Sequence, residues 1–355
     1  MVGPRVLARG SRVLTRTALK LRFGERLVVV QDEGSAAIAS AIAESAEDAG
    51  AWVKRVRLDQ MVSGGAGRPH RVVPEALVFG LKEAHASVFV ASALHQETRM
   101  RQAMLQLTRD FGLRHAHLPG ITEAAFITGM RLGLDEVARV GREVLLRVAN
   151  VRKIQVFSDA GTALEIELSK GGRWAEQLGV LERAAWTNYP AGALYASPES
   201  VSGVFVADAS LGEFFGAREG HLEQKRVQLF ISAGRVVRVE CAASPMLQRD
   251  IEAMLTFSSN SARVGLVAIG VNYGIEAPIG DVMVDQNIPG LHLGIGDPAG
   301  KSTGAGWSAP TCFAACEAKS RVVADGDVIV DRGQLRGVGI RRVSGSMPAF
   351  ARPEQ

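Results

Sequence analysis

His292, in the stretch PGLHLGIGDPAG, is the residue of this sequence best placed to do chemistry. It follows the turn-like QNIPG and opens an apolar run, which predicts the start of a strand. An imidazole there can ligate a metal ion if acids from neighbouring strands complete the shell. The competing reading is a hydrogen-bonded structural histidine. Gly294, Gly296 and Gly300 have nearly the spacing of a phosphate cradle. Such a cradle needs its glycines directly after a first strand, at a helix start, with free amides facing the phosphate. This stretch comes late in the chain, and Pro298 removes one of the amides. Its glycines are therefore read as turn and close-approach residues of a strand.

Other polar groups offer less. His115 and His117 point to one side if their segment is extended, and His95 precedes Thr98, Arg99 and Arg101, which could meet an anion near a helix N-terminus. Ordinary surface polarity is the expectation for each. Cys312 and Cys316 lie four apart in TCFAACEA, a spacing that places them on one helix face. No second Cys or His pair follows at zinc-site spacing, so they are expected to pack as small apolar residues. There is no Gly-x-Ser-x-Gly elbow, His-Glu-x-x-His helix or Walker loop.

The elements that must position these residues come from a globular composition. Of 355 residues, 47% are hydrophobic and 22% charged, with a net charge of +4. No window holds 18 consecutive apolar residues, so no membrane span is expected. The small net charge, with acids spread along most of the chain, gives no reason to expect a nucleic-acid partner. Arg5, Arg9, Arg12, Arg16, Lys20 and Arg22 all precede the first acid, Glu25. With apolar residues between them at helical spacing they predict an amphipathic surface helix, and an organellar transit peptide is the alternative. Cys241, Cys312 and Cys316 are the only cysteines, and without a secretory signal a cytoplasmic location is expected.

RLVVVQDEG (26–34) reads as a buried strand closed by a turn, followed by a helix over about 35–49 and a strand near 52–58. HASVFVAS (85–92) is a further strand, with a helix after it. Strands alternating with helices predict a Rossmann-like parallel α/β domain over 1–150. SGGAGRPH (63–70) reads as a flexible loop within it. From about 152 short strands divided by Gly, Asp and Asn turns predict an α+β domain over 151–355, mixed and largely antiparallel, with one helix in ASPMLQRDIEAMLTFSS.

Several segments together resemble the thermostable metallo-aminopeptidase family, the aminopeptidase T type, whose relatives include 2,5-dihydroxypyridine 5,6-dioxygenase. FGERLVVVQDEG resembles its first strand, HAHLPGITEAAFITG its Pro-Gly-x-Thr-Glu segment, and SDAGTALEIELS its Gly-Thr strand. NYPAGALYASPESVSGVFVAD is similar to the Asn-x-Pro-x-Gly-Glu stretch that opens the metal domain. RVGLVAIGVN and PGLHLGIGD are similar to the next two metal segments, and RVVADGDVIVD to the closing His-x-Asp strand.

That resemblance implies two metal ions held by two Glu, two His and an Asp. Carried over by position, these fall on Ala193, Leu266, His292, Val323 and Asp325, so three of five places hold apolar side chains. The relatives' iron set loses two of its three places, at Leu266 and Val323. Apolar side chains donate no lone pair and remove the charge a divalent cation needs. His292 and Asp325 are the residual metal candidates, with Asp297, Asp327 or Glu240 as substitutes. The expected protein is a degenerate aminopeptidase-like homodimer without cofactor. It would bind a peptide or small amino-acid-like molecule in the former cleft and present it to partner enzymes, for instance in peptide natural-product biosynthesis. The alternative is a divergent hydrolase or ring-cleaving dioxygenase using Zn, Co or Fe.

Overall fold

The computed structural model describes residues 4–62 and 67–341, so the tip of the loop expected over 63–70 lies outside the described residues. Five parallel strands form the first sheet, in the order Trp52–Arg57, Arg26–Gln31, Ala86–Phe89, Arg114–His117 and Trp186–Asn188. The β-branched run of Arg26–Gln31 is buried from Leu27 onward, because helices cover both faces of such a sheet. Ala36–Glu47, Glu75–Lys82 and Thr98–Asp110 follow the first three strands in chain order. Chain order reverses between Arg26–Gln31 and Ala86–Phe89, which makes the crevice at their C-terminal ends the topological switch point. The fifth strand is contributed by residues beyond 150.

The N-terminal segment forms the expected amphipathic helix, Pro4–Arg12, continued by a wider turn over Val13–Ala18. Leu7, Leu14, Ala18 and Leu19 are buried while Arg9, Arg12 and Arg16 stay exposed. No helix among the described residues is long and apolar enough to cross a membrane.

Apart from Trp186–Asn188, the strands beyond residue 150 are antiparallel. Eight strands form one sheet, in the order Arg235–Glu240, Val227–Ser232, Ser200–Ala207, Ala163–Glu167, Lys153–Phe157, Arg321–Ala324, Asp327–Asp331 and Gln334–Leu335. Six form another, in the order Ser210–Leu211, Cys312–Cys316, Gly290–Gly296, Val264–Gly270, Ala193–Ala196 and Ala175–Gln177. The helix Pro245–Leu255 starts where Ser244 accepts the Leu247 N–H at 3.3 Å and Pro245 occupies the first turn. One cluster of buried apolar side chains joins the N-terminal helix, the parallel sheet and both antiparallel sheets. A smaller one, around Leu77, Phe89, Met100 and Met104, fills the other face of the parallel sheet.

Cys312–Cys316 is a strand, against the helix expected from the cysteine spacing. Residues four apart also share a strand face, and a short apolar run does not distinguish the two periods. Cys316 is buried there and Cys312 is exposed.

Candidate functional site

The residues expected at the site divide between the two antiparallel sheets. Ala193 pairs across strands with Gly270, Leu266 with Gly294, and His292 with Ala268. Directly paired residues and residues two apart share a face, so Ala193, Leu266 and His292 lie on one side of the six-stranded sheet, on three adjacent strands. Val323 belongs to the eight-stranded sheet, in Arg321–Ala324. Asp325 sits in the exposed hairpin turn that follows, at φ 44°, and its carboxylate accepts the Arg152 N–H at 3.0 Å and the Lys153 N–H at 2.9 Å.

His292 is the third residue of Gly290–Gly296, not the start of the strand. It is 1% exposed. Nε2 donates to the Ile288 carbonyl at 2.9 Å, and Nδ1 faces the Glu317 N–H at 3.4 Å. Burial pushes the imidazole down to about 4, so the ring is neutral at pH 7. Its one lone pair is turned toward a backbone amide, which leaves neither nitrogen free for a cation. The substitute ligands are engaged elsewhere. Asp297 accepts the Ala299 and Ala309 N–H groups, Asp327 pairs with Arg147, and Glu240 pairs with Arg238. Among the described residues no three His, Cys, Asp or Glu gather as a metal shell. The donor set does not fit a divalent metal.

The glycines after His292 serve the packing of strands. A Cβ at Gly294 would stand 2.9 Å from Leu266 Cβ, and one at Gly296 (φ 110°) would stand 2.0 Å from the Thr311 carbonyl oxygen. Gly296→Ala is expected to cost about 1–3 kcal/mol in a denaturant melt, from overpacking and backbone strain. A melt unchanged from the parent would mean that this approach is looser than described.

A cleft of about 2180 Å³ opens among the described residues. At one side it is bordered by Pro119, Gly120 and Thr122, just beyond the C-terminal end of the strand Arg114–His117. Across from these stand turns of the antiparallel region, including Ser158, Asp208, Gly280 and Lys319. None of Ala193, Leu266, His292, Val323 and Asp325 is among its lining residues.

Two buried acids back the cleft, and sequence reasoning missed both. Glu317 is 1% exposed; Thr162 Oγ1 donates to its Oε1 at 2.8 Å, and the Ser158 hydroxyl is near enough to favour the carboxylate although Oε2 makes no hydrogen bond of good geometry among the described residues. Burial pushes this carboxyl up to about 8. Asp285, fully buried and pushed up to about 7 by that burial, accepts the Ile279 N–H at 2.9 Å and the Gly280 N–H at 3.1 Å. It thereby fixes a segment of the cleft lip. No spacing in the sequence singles out either acid; each is one Asp or Glu at the end of a short element.

At the switch point a different group fills the crevice. Arg68 Nε lies 3.0 Å from both oxygens of Glu97, and its Nη1 meets Asp32. Burial raises the Asp32 carboxyl, but hydrogen bonds from Ser92, Arg68 and Ser35 outweigh it and hold it at about 2. An anion would meet a carboxylate there.

His115 and His117 are not surface residues, as had been expected, but 0% and 5% exposed. Ser87 Oγ lies 2.8 Å from His115 Nδ1, and His115 Nε2 lies 3.2 Å from His117 Nδ1. The burial comes from the strand Arg114–His117 lying inside the sheet, between two neighbours. It lowers His115 to about 3 and His117 well below its usual range. His95 and Arg99 are exposed, and Arg101 is buried.

No protein-family model matches the chain, and no curated protein matches it in sequence. Among solved structures, 2,5-dihydroxypyridine dioxygenase from Pseudomonas putida KT2440 matches with a TM-score of 0.66 at 15% identity, over 95% of this chain and 99% of that one. Wild-type AmpT from Thermus thermophilus matches with a TM-score of 0.65 at 16% identity, over 94% of this chain and 99% of that one. The chain shares its fold with both over nearly its whole length.

Proposed function

We propose that the protein is a catalytically degenerate, aminopeptidase-like binding protein that takes a peptide or amino-acid-like molecule. Pairing of two copies and presentation of the ligand to partner enzymes, as in peptide natural-product biosynthesis, belong to the same proposal. One observation carries it. On the sheet face where three ligand positions of the resembling family fall together stand an alanine, a leucine, and a histidine with both ring nitrogens facing backbone partners. The ligand is assigned to the neighbouring cleft. Its roughly 2180 Å³ exceeds the about 300–1,000 Å³ usual for small-molecule pockets, which suits an extended peptide better than a compact metabolite. Both signs of charge line it, with Arg131 paired to Glu276 and Arg321 to Asp331, as a zwitterionic ligand requires.

The test is metal analysis of protein purified without chelator, alongside binding of a mixed tripeptide pool followed by mass spectrometry. Substoichiometric metal together with retained peptide is expected. Stoichiometric zinc, cobalt or iron that disappears in His292→Ala, with turnover of an amide or dihydroxypyridine substrate, would establish the competing enzyme instead.

A further inference from the structure

Three strand ends meet at one corner of the cleft. Lys153–Phe157 runs into Ser158, Ser200–Ala207 into Asp208, and Cys312–Cys316 into Glu317. Ser158, Asp208 and the next residue after Glu317, Ala318, line the cleft. The backbone fastens the corner. Asp208 Oδ1 accepts the Ala318 N–H at 2.7 Å, and the Ala209 N–H donates to the Cys316 carbonyl at 3.1 Å. Thr162 Oγ1 accepts the Val206 N–H at 2.9 Å while donating to Glu317 at 2.8 Å.

What this framework leaves over is acceptor capacity. Asp208 has one carboxylate oxygen committed to a backbone amide, and forms no hydrogen bond through the other among the described residues. Glu317 is enclosed: its Oε2 makes no hydrogen bond of good geometry among the described residues, the Ser158 and Thr162 hydroxyls favour its ionised form, and burial and Asp208 oppose it. Ser158 Oγ accepts the Thr162 N–H at 3.2 Å and keeps a second lone pair.

We propose that this corner is a binding subsite for a primary ammonium group, contacted by Asp208 and Ser158, with the Glu317 carboxyl buried behind them. It rests on the reading of the cleft as a peptide site. An ammonium carries three donors and no acceptor, so it needs clustered acceptors at about 2.8–3.0 Å and a compensating negative charge. A divalent metal needs more ligands at about 2.0–2.5 Å in fixed geometry, and the described residues gather no such shell. A carboxylate or phosphate would be repelled by Asp208. The ammonium can come from a peptide N-terminus or from a lysine side chain.

The experiment is calorimetric titration of the full chain with trialanine, N-acetyl-trialanine and N-acetyl-Ala-Lys-Ala. Asp208→Asn, Ser158→Ala and the remote control Asp327→Asn are titrated alongside. Asp208→Asn keeps an oxygen for the Ala318 amide, so the corner stays folded. Trialanine is expected to bind, its acetylated form not to, and Asp208→Asn to weaken binding by roughly 10–100-fold, the worth of a charged hydrogen bond. Binding of the lysine peptide in trialanine's place would assign the ammonium to a side chain. Equal binding of N-acetyl-trialanine, or an affinity unchanged in both Asp208→Asn and Ser158→Ala, would overturn the subsite and leave the peptide reading standing. If none of the three peptides binds, the subsite and the peptide reading fall together.

Discussion

Arg68→Ala is expected to lower the free energy of unfolding by about 3–5 kcal/mol, the usual cost of stranding a buried charge. The side chain of Arg68 is 12% exposed and those of its partners Asp32 and Glu97 are 7% and 0% exposed. The guanidinium also donates to the Ser92 carbonyl at 2.6 Å, and Glu97 accepts the His70 N–H at 2.9 Å. Truncation would leave two carboxylates in the crevice without the guanidinium that now joins them. Arg68→Lys should cost less than the alanine change and still be harmful, since an ammonium cannot reproduce the fork that spans both acids. The triple change Arg68→Met, Asp32→Asn, Glu97→Gln should recover much of the loss, because no buried charge then remains unpaired. Urea melts check this through the midpoint at constant slope. A loss below about 1 kcal/mol, the range of exposed pairs, would mean that water enters the crevice. The same triad bears on function. Open α/β sheets bind ligands at the switch point, and here that place is occupied by side chains of the chain itself.

Stability should peak near pH 6.5 and fall on both sides. Three buried histidines hold pKa values depressed by burial: His115 at about 3, His292 at about 4, and His117 well below the usual range. Between these values and 6.5 the unfolded chain binds protons that the folded chain does not, so their contribution is lost as the pH falls. Asp285 and Glu317 have the opposite sign, with folded values raised to about 7 and about 8. Their contribution is complete below the unfolded carboxyl range and is lost as the pH rises toward 7 and 8. From about pH 4.5 to 6.5 the three histidines outweigh the two acids, and stability climbs by roughly 1.4 kcal/mol per pH unit. Above 6.5 the acids dominate, and it falls by roughly 1 kcal/mol per unit until both have ionised. Below pH 4 the decline steepens, as Asp32 and Glu136, both at about 2, lose their partners. Thermal melts across pH 4–9 give the profile. Glu317→Gln, which mimics the neutral acid, should flatten the alkaline limb. A limb that keeps its slope in that variant would show Glu317 already ionised at neutral pH.

Much of the architecture was legible before any coordinates. The β-branched run at Leu27–Val30, the helix after it and the next strand all stand within a few residues of where periodicity places them. The short strands beyond residue 150 follow their Gly and Asp turns just as closely. Such elements are local: a period and a turn residue fix each of them. The cysteine segment failed as a local reading because its spacing satisfies both helix and strand. His115 and His117 failed for a different reason. An alternating His-x-His reads as a polar edge, and only the placement of its strand inside the sheet buries it.

The site divides along the same line. From sequence alone came the apolar residues at Ala193, Leu266 and Val323, and with them the reason to expect no family-type metal chemistry. A methyl group donates no lone pair in any fold. Which residues meet was decided only by tertiary structure. Strand register set Ala193, Leu266 and His292 on one sheet face, put Asp325 in a hairpin turn of the other sheet, and turned both nitrogens of His292 toward the backbone. The same packing gathered Ser158, Asp208 and Glu317 at one corner, although about 50 and 110 residues separate them in turn along the chain. Residue chemistry is carried by the sequence position by position, whereas proximity depends on how distant strands pair, and no local pattern encodes that pairing.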